Sequence, residues 1–452
     1  MLKAHYHRQK TLYALVIFWA ICGALLPSVV AIGVSLVTFI LLFRSNDFTK
    51  VLLAFTTLLI YSDSRAGMFE FAVNAKIGFI LLFALLVISK WKHLKNRSNK
   101  LFRYFLPFLI FGIITSFWSH DFTVGIQKSI SYGLVFFLVP LVVNAAADKE
   151  YFGLDMILYF LVFLTAGLVI NLILPDFATL IGRYRGLLGN PNGLGIFLTI
   201  LYTIYYQVNS KIGLSRKNRN LHFLFLIVFT VSLLLTGSRT SIFALGVFLM
   251  FMQLRHFSNV FMVVFFIGFV ISYQYLLSAL PSVVQSLGLE EYFRLETLEE
   301  GSGRFVAWNF AWEKIQEVYF TGGGFGYTEF IYRFNFRELS RLGHQGNAHN
   351  SYLTIWLNTG LIGLALYIIG LIRSLLDCSW RSSLALPILF SILFSSFFES
   401  WLSASLNPFT PIFLISFTLL FLDKSSGSPK KESLDQEEVP PNTKSSLQGH
   451  VG

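Results

Sequence analysis

Charge is what this sequence is short of. Of its 452 residues, 13% are Asp, Glu, Lys or Arg and 55% are apolar, with a mean hydropathy of +0.64. Soluble chains carry about 25% charged residues, so the deficit excludes an ordinary water-soluble enzyme. Cysteine is scarce as well: Cys22 and Cys378 lie far apart in sequence, both at or near the expected cytoplasmic side, and give no disulfide framework or metal site. Alternating apolar and polar strands are missing, because the hydrophobic stretches are apolar on all faces, which excludes a β-barrel. No two Asp residues are adjacent or one position apart, and no His-x-x-His or Gly-x-Ser-x-Gly occurs. The arrangement that clamps a divalent metal against a nucleotide-sugar diphosphate is therefore absent, and catalysis by a bound metal is disfavoured. No internal repeat of fixed period is present.

What remains is a polytopic, all-α membrane protein. Fourteen hydrophobic segments run through 12–26, 29–43, 51–61, 77–89, 104–117, 129–147, 154–174, 193–208, 221–236, 240–253, 257–277, 351–372, 384–402 and 409–422. Several are shorter than the ~17–25 residues of a full span, and 51–61 is the weakest. The expectation is twelve to fourteen transmembrane helices with even parity. Starting from a cytoplasmic N-terminus, 23 of the 35 Lys and Arg fall inside and 12 outside, six of the latter in one long loop. By the positive-inside rule both termini are cytoplasmic. The net charge of +11 then reads as anchors beside anionic lipid, and nucleic acid is not a partner. The first apolar run continues into a second without a small-residue cleavage site, so no cleavable signal peptide is expected. Residues 278–350 form a long outer loop, and 423–452, poor in apolar residues, a disordered cytoplasmic tail.

Ionisable residues beside apolar spans are expensive and tend to mark function. After the seventh segment, IGRYRGLLGNPNGLGIF carries Arg183, Arg185, Asn190, Pro191 and Asn192, and TGSRTS carries Arg239 in a turn between two short segments. One reading of these arginines is interfacial side chains reaching for headgroups, with Gly and Pro only making turns. The other is anion binding: a guanidinium fork suits phosphate and stays charged at low dielectric, while Asn190-Pro191-Asn192-Gly193 resembles a helix entry whose N–H groups suit an anion. His349, in NAHNSYLTIW at the mouth of the twelfth segment, is either a satisfied residue before a helix capped by Asn350 or Ser351, or a general base near neutral pH. His344 competes less well, and His120 reads as an interface residue. Glu399, near the end of its segment, either orients an outer Arg or sits at an interface. In the loop, GSGRFVAWNFAWEKIQEVYF predicts an amphipathic helix capped by Ser302, with Phe305, Trp308, Trp312, Ile315 and Tyr319 on one face and Arg304 able to meet an acidic sugar or phosphate. The following TGGGFGY allows close backbone approach and is not a nucleotide loop.

The ordered series RYRGLLGNPNGLG, TGSRTS, GSGRFVAWNFAWEKI with TGGGFG, and AHNSYLTIWLNTGLIG resembles the O-antigen ligase and polysaccharide polymerase superfamily of bacterial envelope glycosyltransferases, strongly over 180–370. The resemblance implies a GT-C-like fold, with residues 1–422 as a transmembrane glycosyltransferase domain into which 278–350 is inserted. It implies transfer of a glycan from a polyprenyl-diphosphate carrier to a saccharide hydroxyl, either lipid A core or a growing polysaccharide. The transfer would occur on the outer face of the bacterial inner membrane, inverting, with no metal and no cofactor. Carried over, Arg185 and Arg239 bind the diphosphate and His349 is the essential histidine; Arg183, Asn190, Asn192, Arg304 and Asn350 assist substrate binding. A transporter or flippase for an anionic or lipid-linked substrate is the competing class.

Overall fold

The computed structural model describes residues 1–97, 99–286, 288, 304–344 and 346–423. Ser302 and, beyond Asp423, the expected tail lie outside them. Setting aside single-turn helices, the chain runs α1 (Leu2–Leu25), α2 (Ser28–Arg44), α3 (Phe48–Asp63), α4 (Glu70–Ser89), α5 (Lys100–Thr115), α6 (Phe122–Ala146), α7 (Phe152–Ile173), α8 (Pro191–Ile212), α9 (Arg219–Thr236), α10 (Arg239–Leu254) and α11 (Asn259–Ser286). It continues with α12 (Arg304–Glu317), α13 (Tyr327–Phe334), α14 (Phe336–Arg341), α15 (Ser351–Ser379), α16 (Ala385–Phe398) and α17 (Phe409–Phe421). Each of the fourteen hydrophobic segments is centred on one helix, and the fold is that of an all-α polytopic membrane protein. Six described helices are long and apolar enough to cross a membrane: Gly67–Ser89, Lys100–Trp118, Phe122–Ala146, Phe152–Ile173, Arg219–Thr236 and Ser351–Ser379. Five shorter apolar helices accompany them.

Charge sorts the two ends of the bundle. At one end a buried carboxylate, Asp155, accepts from Arg8 Nε (2.9 Å) and Nη2 (2.6 Å), from Gln9 Nε2 (2.9 Å), and meets His5 Nδ1 (2.9 Å). These bonds staple α1 to the start of α7. Lys100 and Arg381 hold Asp377, and Arg97 holds Asp148, at the same end. The opposite end gathers the Gly-, Asn- and Arg-rich turns and the inserted helices α12 to α14.

Helix α12 turns only part of the expected face inward. Its buried face is Ala307, Ala311 and Ile315, whereas Phe305 and Trp312 are about half exposed. Small residues at i and i+4 let the backbone approach closely: Tyr332 Oη donates to the Ala307 carbonyl (2.6 Å), and the helix packs over Leu357 of α15. The aromatics are pushed to the flanks, where Trp312 meets Trp356 edge-on.

The insertion is fastened by backbone. Gly360 interrupts α15 with φ 66° and ψ −177°, a region only glycine occupies readily. The break frees four peptide groups, and residues 319–324, at the start of TGGGFG and just before it, take all of them. Leu361 and Ile362 N–H donate to the Tyr319 and Phe320 carbonyls (2.8 and 3.2 Å), while Gly323 and Gly324 N–H donate to Leu357 and Asn358 (both 2.9 Å). A Cβ on Gly360 would lie 2.2 Å from the Phe320 carbonyl. Gly360→Ala is therefore expected to cost about 2–4 kcal/mol, read as a lowered thermal midpoint in detergent. Gly33→Ala, where nothing lies within 4 Å, should leave the midpoint unchanged or slightly raised.

Candidate functional site

Three helix N-termini meet at the end that carries the insertion. Proline at the first position and Asn190 as cap (Oδ1 accepting from Gly193 N–H, 2.7 Å) start α8. Ser238 precedes α10, which opens on Arg239. Asn350 caps α15, its Oδ1 accepting from Tyr352 and Leu353 N–H (2.9 and 3.1 Å). Helices α8 and α10 come this close because Gly195 has no side chain: a Cβ there would lie 2.4 Å from Ser241 Oγ. Thr199 Oγ1 bridges to the Ser241 carbonyl (3.2 Å).

Between these N-termini sits the carboxylate of Glu399, buried at the C-terminal end of α16. Its Oε1 accepts from Arg304 Nη2 (3.0 Å) and Asn192 Nδ2 (3.0 Å), and its Oε2 faces His349 Nδ1 at 3.3 Å. Asn192 Oδ1 in turn accepts from Arg183 Nη2 (2.8 Å), and Arg183 Nε donates to the Thr236 carbonyl (2.7 Å). Arg183 is delivered by a two-residue hairpin: Thr179–Leu180 pairs with Arg183–Tyr184 across Ile181 and Gly182, both at positive φ. Thus Arg183, Asn192, Arg304 and His349, distant in sequence, belong to one hydrogen-bonded cluster, joined to the TGSRTS turn through Thr236 and, at 3.5 Å from Arg304, Thr240. Asn350 joins it through its N–H to Ser400 Oγ (3.0 Å). Arg239 stands half-buried at the first turn of α10.

His349 is held in a left-handed conformation, φ 44°, which non-glycine residues rarely adopt. Its N–H donates to Asn347 Oδ1 (2.8 Å), which also accepts from Ser400 Oγ (3.2 Å). With Nδ1 turned to Glu399, the imidazole edge carrying Nε2 faces Gly346, where a Cβ would come within 3.6 Å of that nitrogen. The side chain is 30% exposed, so it is reachable from outside the cluster.

Arg185 goes elsewhere. It is buried, donates to the Phe177 carbonyl (3.1 Å) and, at 3.5 Å, to Gly189, and its Nε has no partner among the described residues. Burial and the nearby Arg65 charge hold its guanidinium below the ordinary value, with Asp63 acting against them; it stays charged at neutral pH. Asp63 fixes the same loop by accepting from Gly189 N–H (2.8 Å). No set of three His, Cys, Asp or Glu side chains able to hold a metal ion occurs among the described residues.

Glu399, which the sequence leaves open between orienting an outer Arg and sitting at an interface, holds Arg304 and is the hub. Burial pushes its carboxyl up, but the hydrogen bonds and charges of His349 and Arg304 outweigh burial and hold it below the usual carboxylate range. A depressed pKa contributes stability above the unfolded value near 4.5 and loses it as pH falls through the folded value. Thermal stability should therefore be insensitive to this group between pH 7 and about 5 and decline below about 4.5. In Glu399→Gln that acid component should be flattened, as measured by thermal unfolding across a pH series.

The comparison with known families bears on this arrangement. No curated protein matches the chain. The family model for O-antigen ligase matches residues 223–368, about a third of the sequence, spanning TGSRTS, Arg304, TGGGFG and His349. Over those residues the chain is similar to the O-antigen ligase family.

Proposed function

We propose that this protein transfers a glycan from a polyprenyl-diphosphate carrier to a saccharide hydroxyl at the non-cytoplasmic face of the bacterial inner membrane, as a ligase or polymerase. The observation that carries this reading is the electrostatic balance of the cluster. Three helix N-termini, each equivalent to a partial positive charge, and the guanidinium groups of Arg304 and, through Asn192, Arg183 bear on a single carboxylate, while Arg239 opens α10. That surplus suits a diphosphate, whose charge grows as the glycosidic bond breaks. The sorting of lysines and arginines to the opposite end supports a cytoplasmic location for the termini.

In this mechanism Arg239 and Arg183 meet the diphosphate, Asn190 and Asn192 shape the helix entry that faces it, and Arg185 adds positive field from beneath the loop. Nδ1–H of His349 donates to Glu399, which fixes the tautomer and leaves Nε2 as acceptor. The acceptor hydroxyl gives its proton to Nε2 as its oxygen bonds to the anomeric carbon. The carbon–oxygen bond to phosphate breaks on the opposite side, and polyprenyl diphosphate leaves with the electron pair, inverting the centre. Because the leaving group is already good, holding the two partners in line does most of the work. A flippase would need no base, and the strained, carboxylate-oriented histidine favours chemistry over transport.

The test uses purified protein with a polyprenyl-diphosphate oligosaccharide from the host, following released lipid diphosphate and glycan length with EDTA present. His349→Ala should abolish transfer, a fall of at least about 10²-fold, while donor binding persists; retained turnover overturns the base assignment. Glu399→Gln should lower kcat by about tenfold or more with little change in KM. Arg239→Lys should lose most of the activity although the charge is kept, because the fork is gone. Chains lengthening from donor alone identify a polymerase, whereas dependence on added lipid A core identifies a ligase.

A further inference from the structure

A second basic site lies at the same end of the molecule, outside the Glu399 cluster. A cavity of about 250 Å³ opens between α4, α6, the TGGGFG turn and residues 403–406. Two lysines from neighbouring helices and the carboxylate of Glu329 line it. Lys76 stands nearly two turns inside α4, in a helix long and apolar enough to cross a membrane. It is half-buried and makes no ion pair among the described residues, although Asp63 and Lys128 are within electrostatic reach. Lys128 pairs with Glu329 (2.5 Å), whose side chain is 58% exposed. A lysine placed in an apolar helix without a close counter-ion is costly, and its neighbour adds like charge. With Lys128 paired to Glu329, Lys76 is the lining cation left without an ion pair among the described residues.

The other lining groups indicate what brings Lys76 a counter-ion. Gln127, Ser405 and Asn358 line the cavity, and their side chains donate to no described residue; Asn358 Oδ1 is already taken by Thr328 N–H (3.0 Å) and Oγ1 (2.9 Å). Neutral hydroxyl and amide donors beside two ammonium groups suit a saccharide bearing a negative substituent better than a bare ion. Two elements tie this cavity to the cluster. Asn350 and Asn358 stand eight residues apart on α15, about 12 Å along its axis. The loop that begins at Glu399 and Ser400 reaches the cavity with Ser403 and Ser405.

We propose that the Lys76–Lys128 cavity is a subsite for a phosphate or carboxylate group on the saccharide substrate. It rests on the transferase reading above and assigns that reaction a requirement for charge on the sugar. The site selects an anionic saccharide and sets which hydroxyl reaches His349.

The test reads binding and not turnover, so its failure is separable from failure of the transfer assay. Saturation-transfer NMR on the full-length protein in phosphatidylcholine nanodiscs would use glucose 6-phosphate, glucuronate and methyl glucoside as probes. Both anionic probes should show transfer well above methyl glucoside. Lys76→Gln, which leaves the Lys128–Glu329 pair in place, should weaken them about tenfold, and Lys76→Gln with Lys128→Gln should remove them, in protein that still elutes monodisperse. Lys90→Gln, at the far end of α4, should leave both signals unchanged. Equal transfer to methyl glucoside, persistence in the double variant, or an equal loss in Lys90→Gln overturns the proposal. Equally strong displacement by inorganic phosphate would reduce the site to a bare anion site and overturn the saccharide assignment. Loss of probe binding when phosphatidylglycerol replaces phosphatidylcholine would assign the cavity to a lipid headgroup and overturn it too.

Discussion

One buried carboxylate organises the functional end of this molecule. Glu399 lies where α8, α10 and α15 present their N-termini, and it bonds side chains from three segments that otherwise have no reason to meet: Asn192, Arg304 and His349. A carboxylate here is stabilised by helix ends and guanidinium groups alike, and without it the guanidinium groups would repel. Its position also decides how the histidine points. A charge that compensates its neighbours only in part leaves a positive residue of field, and the anion site consists of that residue.

Convergence of the three helix ends depends on small side chains. Gly195 against Ser238 and Ser241 brings α8 beside α10, and Ser391 Oγ, donating to the Ala244 carbonyl (2.7 Å), brings α16 beside α10. In lipid, where apolar surface alone does not drive helices together, such close approaches and hydroxyl bridges carry much of the association. The same logic governs α12, where alanines and not aromatics face inward.

Much of this was legible in the sequence, for identifiable reasons. Apolar runs mark helices because a membrane-buried backbone must satisfy its own hydrogen bonds, so each of the fourteen segments became one helix. The helix entry at Asn190–Gly193 and a cap at Asn350 or Ser351 were readable because capping is local. Glu399 was not readable as a hub: its partners are 50, 95 and 207 residues away, and no local motif surrounds it. Arg183 and Arg185, two positions apart, could not be told apart by spacing, yet one joins the cluster and the other turns back beneath its loop. Lys76 lies just outside the apolar run that begins at 77, whereas α4 starts at Glu70. The aromatic stripe of α12 misled because periodicity shows which residues share a face but not whether that face is the inner one.

The break in α15 bears on how the protein is made. Carbonyls released within a span have no water to bond in the bilayer, and each costs several kcal/mol if left open. Their partners, Gly323 and Gly324, and the carbonyls of Tyr319 and Phe320, precede α15 in the chain and leave the ribosome first. The docking segment is therefore synthesised before the helix that needs it. The last part of the inserted loop and the upper half of α15 mature as one unit, so positioning of His349 is coupled to membrane insertion of the helix it precedes.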